Sequence, residues 1–304
     1  MANAPKTDPP APKWSAKKTY KNVVTVDVPA RRDAEWEQWF MLSGDRHWDS
    51  PHSDHKLMKQ HLDEAKNRQA GIIDIGDLFC VMQGHGDPRG ERGSIRPEHS
   101  GPNYLGSVVS TAVDFFEPWA SQFILIGTGN HEKKVLKKYD NDLLEQLTSR
   151  LNERTGSEII KCGYGGWVRF MFKDVSSEGK RLFSQTIKLR YEHGYAGGGK
   201  ATKGVTQAPY RSLQYPDAQI CVSGHIHESW NVEFCRDRLN DMGRQYQDTQ
   251  VHVVTPTYQN SFGDGSDGWH VETGKGPKPL GCTWLRFYWK RRINAVVFDV
   301  IRAQ

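Results

Sequence analysis

Five short segments place metal-ligating residue types where an apolar run gives way to a polar turn: Asp45-Arg46-His47, Gly76-Asp77, Gly129-Asn130-His131-Glu132, His193-Gly194 and Gly224-His225-Ile226-His227. Carboxylates, imidazoles and a side-chain amide oxygen, without thiolate, form a donor set for Mn, Fe, Zn or a similar divalent ion, not for a structural zinc site built on cysteine. Taken singly, each segment has a plainer explanation. A Gly-Asp pair is ordinarily a turn, an Asn-His pair a polar loop, and a lone histidine a satisfied core or surface residue. Their recurrence after successive apolar runs is what coincidence explains poorly. The spacing adds a geometric expectation: Asp45 and His47, like His225 and His227, are two apart and share one face if strand conformation persists through them.

Such residues need elements that end together. The β-branched run within Asn22 to Val28 predicts a first strand, and Trp36 to Leu42 a second that leads into Ser43-Gly44-Asp45. Leu57, Met58, Leu62 and Ala65 recur at helical spacing between Asp54 and Arg68, with Gly71 as a stop. Ile72 to Ile75 and Phe123 to Ile126 read as buried strands running into Gly76-Asp77 and Gly127-Thr128-Gly129-Asn130, while Val108 to Trp119 and Leu136 to Leu151 read as helices. From Trp167 onward the chain turns to short strand-like segments: Val168 to Phe172, Thr186 to Tyr191, Gln219 to Ser223, Val251 to Thr255, Trp284 to Trp289 and Ala295 to Ile301. Strand-helix alternation followed by strand-rich sequence predicts an α/β sandwich with two sheets, whose ligands collect at strand ends. Residues 1–21, rich in Pro and Lys, read as a flexible tail before one domain spanning 22–304, and 84–103 as a surface insertion.

In combination and in this order, Asp-x-His, Gly-Asp, Gly-Asn-His-Glu, His and Gly-His-x-His resemble the signature of the calcineurin-like metallophosphoesterase superfamily, from about Leu42 to His227. The C-terminal quarter is similar to phage-encoded members. The resemblance implies a sandwich of two mixed β-sheets flanked by helices, and two divalent metal ions, Mn foremost, with Fe, Zn, Ni or Mg as alternatives. One ion would be held by Asp45, His47, Asp77 and His227, the other by Asp77, Asn130, His193 and His225, with Asp77 bridging. His131 would be no ligand but would stand beside the phosphate as the catalytic residue that assists the leaving oxygen. Such an ion pair activates a shared water for in-line attack on phosphorus and offsets charge on the phosphate oxygens. Two carboxylates against four positive charges leave the loaded site cationic, which suits a phosphate-ester substrate, monoester or diester. The Gly-Asp-Leu-Phe opening at Gly76 is similar to the nuclease branch, so a nucleic acid is a possible partner; a scaffold that has lost catalysis is the other alternative. One position departs from the pattern. Many members carry Asp three residues after the bridging Asp to orient the catalytic His, and here Cys80 stands there. Its thiol is a weak hydrogen-bond partner, so either another carboxylate orients His131 or its acid role is weaker.

Composition narrows the remaining classes. Lys and Arg number 41 against 36 Asp and Glu over 304 residues, a formal +5 that permits an anionic partner without requiring one. No continuous basic stripe accompanies it. The five cysteines, Cys80, Cys162, Cys221, Cys235 and Cys282, include no Cys-x-x-Cys pair and read mostly as core thiols. No apolar run approaches the roughly 18 residues of a membrane span, and the start lacks a signal-like apolar stretch, so a cytoplasmic location without a membrane partner is expected. Gly194 to Ala201 nearly forms a P-loop but ends in Ala201, which cannot ligate Mg²⁺, and reads instead as a wall of the site. Gly263 to Gly268 lacks the spacing of a calcium loop. Lys200, Lys203, Arg89, Arg92, Arg96, His85 and His99 are candidates for phosphate contact from loops, although charged loops are most often merely solvated. Of the ten tryptophans most should be core, and in Trp284 to Trp289 the alternation of Leu285, Phe287 and Trp289 with Arg286 and Tyr288 is that of a half-buried strand.

Overall fold

The structure, a computed structural model, describes residues 13–81, 95–175, 181–195, 199–263, 265–266 and 269–303. Residues 1–12, most of the expected insertion with His85, Arg89 and Arg92, and the central glycines of the near-P-loop lie outside it. Among the described residues, two mixed sheets form. The first comprises β1 (Ser15–Tyr20), β2 (Val23–Pro29), β7 (Gly165–Val175), β8 (Arg181–Glu192), β9 (Ile220–Ser223), β10 (Trp230–Leu239) and β11 (Gln245–Val254), in the order β1-β2-β7-β8-β9-β11-β10. The second comprises β3 (Glu37–Ser43), β4 (Gly71–Asp74), β5 (Phe123–Ile126), β6 (Ile160–Lys161), β12 (Thr283–Lys290) and β13 (Ala295–Arg302), in the order β13-β12-β3-β4-β5-β6.

The sheets bury their facing sides against each other. Val24, Val26, Val168, Phe170, Phe172 and Leu189 of the first meet Phe40, Leu42, Ile73, Leu285 and Phe287 of the second in one apolar layer. On the far side of the second sheet, Met41, Ile72, Ile126 and Trp284 pack under α1 (His55–Asn67), α2 (Tyr104–Phe116) and α4 (Leu143–Thr155), through Met58, Leu62, Val109, Val113, Leu144 and Leu147. The expected fold class, a two-sheet α/β sandwich flanked by helices, is the one observed. β12 alternates as its sequence indicates, with Leu285, Phe287 and Trp289 buried and Lys290 exposed.

Two expectations need correction. Residues 15–20 are not tail: they form edge strand β1, antiparallel to β2 from Ser15 opposite Asp27, and Trp14 ahead of it donates its indole N–H to Gln69 O at 3.2 Å. Its lysines, Lys17 and Lys18, suit an exposed edge, where charge discourages pairing with another chain. The single helix expected over Leu136–Leu151 is two, α3 (Asn130–Tyr139) and α4. Asp140 turns into the left-handed region (φ 49°) and ends the first, and Asp142 caps the second by accepting Glu145 N–H at 3.0 Å. Several elements had no expectation, among them α5 (Gln207–Gln214), the short strand β6 and the long outer strand β10. The cysteines agree in part: Cys80, Cys221 and Cys282 are buried, Cys162 is half-buried and Cys235 exposed.

Candidate metal centre

Strands β3, β4 and β5 run parallel, as do β8 and β9, so their carboxyl ends open along one edge of each sheet. Asp45 follows β3, Asp77 follows β4, Asn130 follows β5 as the first residue of α3, His193 follows β8 directly, and His225 and His227 follow β9. The loops stay hydrogen-bonded beyond the strands. Asp45 N–H donates to Gly76 O at 2.9 Å, His47 N–H to Asp77 O at 3.0 Å and Gly224 N–H to His193 O at 2.9 Å, so residues remote in sequence leave the sheets in fixed register.

Asp45 and His47 do not converge by persisting as strand. Ten non-glycine residues among those described have positive φ, and five of them are Asp45 (49°), His47 (45°), Asp77 (52°), His225 (70°) and His227 (54°). A left-handed backbone at a non-glycine residue costs of order 1–3 kcal/mol and persists only where its surroundings over-determine it. Here it turns each side chain back toward the edge between the sheets. Two glycines make room: a Cβ on Gly224 would lie 2.4 Å from Asp45 Oδ2, and one on Gly129 would lie 2.0 Å from Asp77 Oδ1.

The side chains gather into two triads. Asp45, His47 and His227 form one and Asp77, His193 and His225 the other, each with donor atoms within 4.8 Å of one another. In the first, Nε2 of His47 and Nε2 of His227 are 3.2 Å apart, with Asp45 Oδ1 3.3 Å from the latter and 3.9 Å from the former. In the second, His193 Nε2 lies 3.0 Å from Asp77 Oδ2 and 3.1 Å from Asn130 Oδ1. Two donors each bound 2.0–2.1 Å from a common cation lie about 2.9–3.4 Å apart, a window that holds His47–His227 and Asp45–His227 in the first triad and His193–Asp77 in the second, while Asp45 and His47 stand somewhat wider at 3.9 Å. The strongest sign of fit is Asp45 Oδ1, a buried carboxylate oxygen that receives no hydrogen bond, whereas Oδ2 takes the His225 N–H at 2.8 Å. A divalent ion supplies what such an orphan lacks.

The electrostatics agree. Burial, with His131 and His227 alongside, drives the His47 imidazole well below its usual range, toward the neutral form that ligation requires. Burial opposes the charge of Asp77, but His193 and His131 outweigh it and hold this carboxyl well below the ordinary value. Burial also opposes protonation of His193, yet Asp77 pushes its imidazole up to about 9.

His131 sits above Asp77, its N–H donating to Asp77 Oδ1 at 3.0 Å and its Nε2 3.7 Å from Oδ2. Neither alternative raised by Cys80 describes what orients it. The backbone carbonyl of Cys80 accepts His131 Nδ1–H at 2.5 Å, which directs Nε2 toward the site. A carboxylate does take part, one step removed: buried Asp49 accepts the N–H of Cys80 at 2.5 Å and of Val81 at 2.8 Å, so it fixes the peptide that fixes the imidazole. Sequence reasoning missed Asp49, since its partners are main-chain groups of a distant loop. Glu132, noted only as part of a motif, likewise joins two loops by accepting Phe79 N–H and Gly129 N–H, each at 2.9 Å; burial and then Asp77 push its carboxyl up to about 8.

Two loop residues expected at phosphate are engaged elsewhere. Arg96 donates to Ser50 O at 3.0 Å, and buried His99 pairs through Nε2 with Thr111 Oγ1 at 2.8 Å; both tie the 95–99 loop to the body. Lys203 pairs with Glu228 at 3.3 Å, next to His227.

No family model matches the chain, and no curated protein does. Among solved structures, a metallophosphoesterase from Sphaerobacter thermophilus aligns over 88% of this chain and 90% of its own, with 11% identity and a TM-score of 0.34. A predicted phosphoesterase from Streptococcus pneumoniae aligns over 84% of both chains, with 11% identity and a TM-score of 0.29. Vps29 complexed with Zn²⁺ from Entamoeba histolytica aligns over 87% of this chain and 98% of its own, with 9% identity and a TM-score of 0.32. The alignments are long and loose, and the chemistry of the site stands on its own geometry. Among the described residues no helix is long and apolar enough to cross a membrane.

Proposed function

We propose that this protein is a divalent-metal-dependent phosphoesterase that hydrolyses phosphate mono- or diesters at the edge between its two sheets. Asp45, His47, Asp77 and His227 would hold one ion and Asp77, Asn130, His193 and His225 a second, Mn²⁺ suiting this oxygen and imidazole donor set. Bound there, the ions would lower the pKa of a water and take up negative charge from the phosphate oxygens. The chain does the rest. Left-handed turns fix most of the donors before any ion arrives, the Cys80 carbonyl accepts the His131 Nδ1–H, and in the imidazolium form, which carries a proton on each ring nitrogen, His131 would donate from Nε2 to the departing oxygen.

The observation that carries this reading is the buried, hydrogen-bond-free Asp45 Oδ1 facing two imidazole nitrogens. The test is hydrolysis of p-nitrophenyl phosphate and bis-p-nitrophenyl phosphate with Mn²⁺ and after EDTA, beside Asp77→Asn and His131→Ala, with bound metal measured directly. Metal-dependent turnover that both variants lower is expected. Stoichiometric metal with no turnover of either ester would point instead to a scaffold, and an Asp77→Asn variant as active as the parent would remove the ligand assignment.

A further inference from the structure

Cys80 and His131 share a second relation besides the carbonyl hydrogen bond. The Cys80 sulfur, one ring nitrogen of His131 and one of His47 lie within 4.8 Å of one another, the same closeness as in the two triads of the metal centre. All three are held in place. Cys80 is buried, with its N–H tied to Asp49 and its carbonyl to His131 Nδ1. His47 is buried too, and its ring meets that of His131 edge-on, centroids 4.8 Å apart. Because His131 Nδ1 is engaged, Nε2 is the atom left for ligation. His47 adds an independent sign. A metal-bound imidazole ordinarily passes its other N–H to an acceptor, yet while His47 Nε2 faces His227 at 3.2 Å, His47 Nδ1 is buried without a hydrogen-bond partner. The protein gives that nitrogen nothing to keep it from a cation.

The three triads differ in chemistry. Two offer carboxylate and imidazole, which suit Mn²⁺ and its like; the third offers sulfur with two imidazoles, which favours Zn²⁺ and other thiophilic ions. We propose that His47, Cys80 and His131 form a further metal site, selective for Zn²⁺ over Mn²⁺, whose occupation switches the protein off. Binding forms one S–Zn and two N–Zn bonds as the thiol proton leaves to solvent, with no change of oxidation state. The thiolate keeps lone pairs for any hydrogen bond it accepts. Bonds of about 2.3 Å to sulfur and 2.0–2.1 Å to nitrogen put such donors about 3.5 Å apart, so the ion draws them together by about 1.3 Å at most. The consequence for turnover rests on the proposed phosphoesterase activity. Zn²⁺ on His131 Nε2 leaves that atom no proton for the departing oxygen, and it draws on His47, which the Asp45 triad also needs.

The test titrates Cd²⁺, a thiophilic stand-in for Zn²⁺, into the Mn²⁺-loaded protein and follows the ultraviolet charge-transfer absorption of a cadmium thiolate, which the oxygen and imidazole triads cannot produce. The parent should develop the band, and added Zn²⁺ should suppress it. Cys80→Ser should lose the band, while Cys235→Ser, which alters an exposed thiol, should keep it. In His131→Ala the sulfur remains, and the Cd²⁺ affinity should fall about tenfold or more. No band in the parent, a band unchanged in Cys80→Ser, or undiminished affinity in His131→Ala overturns the site, the last by reducing it to a lone thiol. A second arm measures Zn²⁺ inhibition of phenyl phosphate hydrolysis, each protein against its own uninhibited rate. The Zn²⁺ needed for half-inhibition should rise about tenfold or more in Cys80→Ser, and an equal requirement in both proteins overturns the switch. If the ester is not hydrolysed at all, the phosphoesterase reading fails, and the absorption titration still decides whether the site exists.

Discussion

Arg46 lies between Asp45 and His47 and points the other way, wholly into the protein, so its loss should unfold the base of the metal centre. Its Nε donates to Asp74 Oδ2 at 2.6 Å and its Nη2 to Ser43 Oγ at 2.7 Å, all three groups being inaccessible to solvent. Nη1 has no acceptor; the guanidinium carbon lies 5.2 Å from the ring centre of Tyr258, 5.8 Å from Phe123 and 6.0 Å from Phe116, an aromatic enclosure that compensates for it. Arg46→Met keeps the volume and strands Asp74, whose carboxyl burial already pushes up even with Arg46 beside it. Removing one partner of a buried pair costs about 3–5 kcal/mol. In Arg46→Met/Asp74→Leu no charge is left stranded, but the Gly76 N–H, which gives Asp74 Oδ1 a 3.2 Å hydrogen bond, and the Ser43 hydroxyl lose their acceptor. Recovery should therefore be partial, leaving a deficit of about 1–3 kcal/mol. Urea denaturation followed by tryptophan fluorescence, in EDTA so that metal affinity does not enter, gives both numbers. A single variant within about 1 kcal/mol of the parent, or a double variant less stable than the single, would refute the argument that the pair is held by mutual need.

Three further outcomes follow from the geometry. Asp49→Asn withdraws an acceptor from the Cys80–Val81 peptide pair and lets His131 drift; kcat should drop by about ten- to a hundredfold on an ester with a poor leaving group and much less on p-nitrophenyl phosphate, whereas an equal drop on both would mean that Asp49 does not act through His131. Gly224→Ala drives a methyl into Asp45 Oδ2 and should weaken Mn²⁺ binding by calorimetry about tenfold or more, while Gly101→Ala, which meets nothing within 4 Å, should leave it intact. His252, buried on β11 with Nε2 3.0 Å from Gln250 Oε1, is pushed down to about 4 by burial and by Arg211 and Arg236. Its unfolded form takes up a proton first, so the stability it lends is complete above pH about 6.5 and is lost as pH falls toward about 4. Unfolding free energies from urea curves at pH 7 and 4.5 should differ less in His252→Gln, by about 1–3 kcal/mol, and an identical acid loss would remove this histidine from the account.

What could be read in the sequence divides along physical lines. Strands buried on both faces, such as β4 and β5, are short apolar runs, and their ends announce Asp77 and Asn130 within a few residues. β12 shows its half-buried face by alternation. β10 carries the same signal only in its first half, where Trp230, Val232 and Phe234 alternate with Asn231 and Glu233; beyond Cys235 the charged run Arg236-Asp237-Arg238 masks it, and its place is secured by pairing with β11. β1 is hidden for the same reason: Lys17 and Lys18 look like tail until β2 offers a partner. Within the site, residue types and order were legible, but the means of convergence were not. A left-handed aspartate or histidine leaves no mark in composition. Cys80 shows most plainly where such reading stops: its side chain drew attention, while the group that engages His131 is a peptide oxygen that every residue has.

The donors come from opposite layers of the molecule: Asp45, His47, Asp77 and Asn130 hang from one sheet, His193, His225 and His227 from the other. A cation seated among them is thus a clasp across the seam, and neither layer alone can close it. A half-folded chain would have no means of capturing its ions, so metal uptake during refolding should wait until both layers have docked, and loss of metal should first loosen the seam at this edge. Catalytic competence and completed tertiary structure would then be a single event.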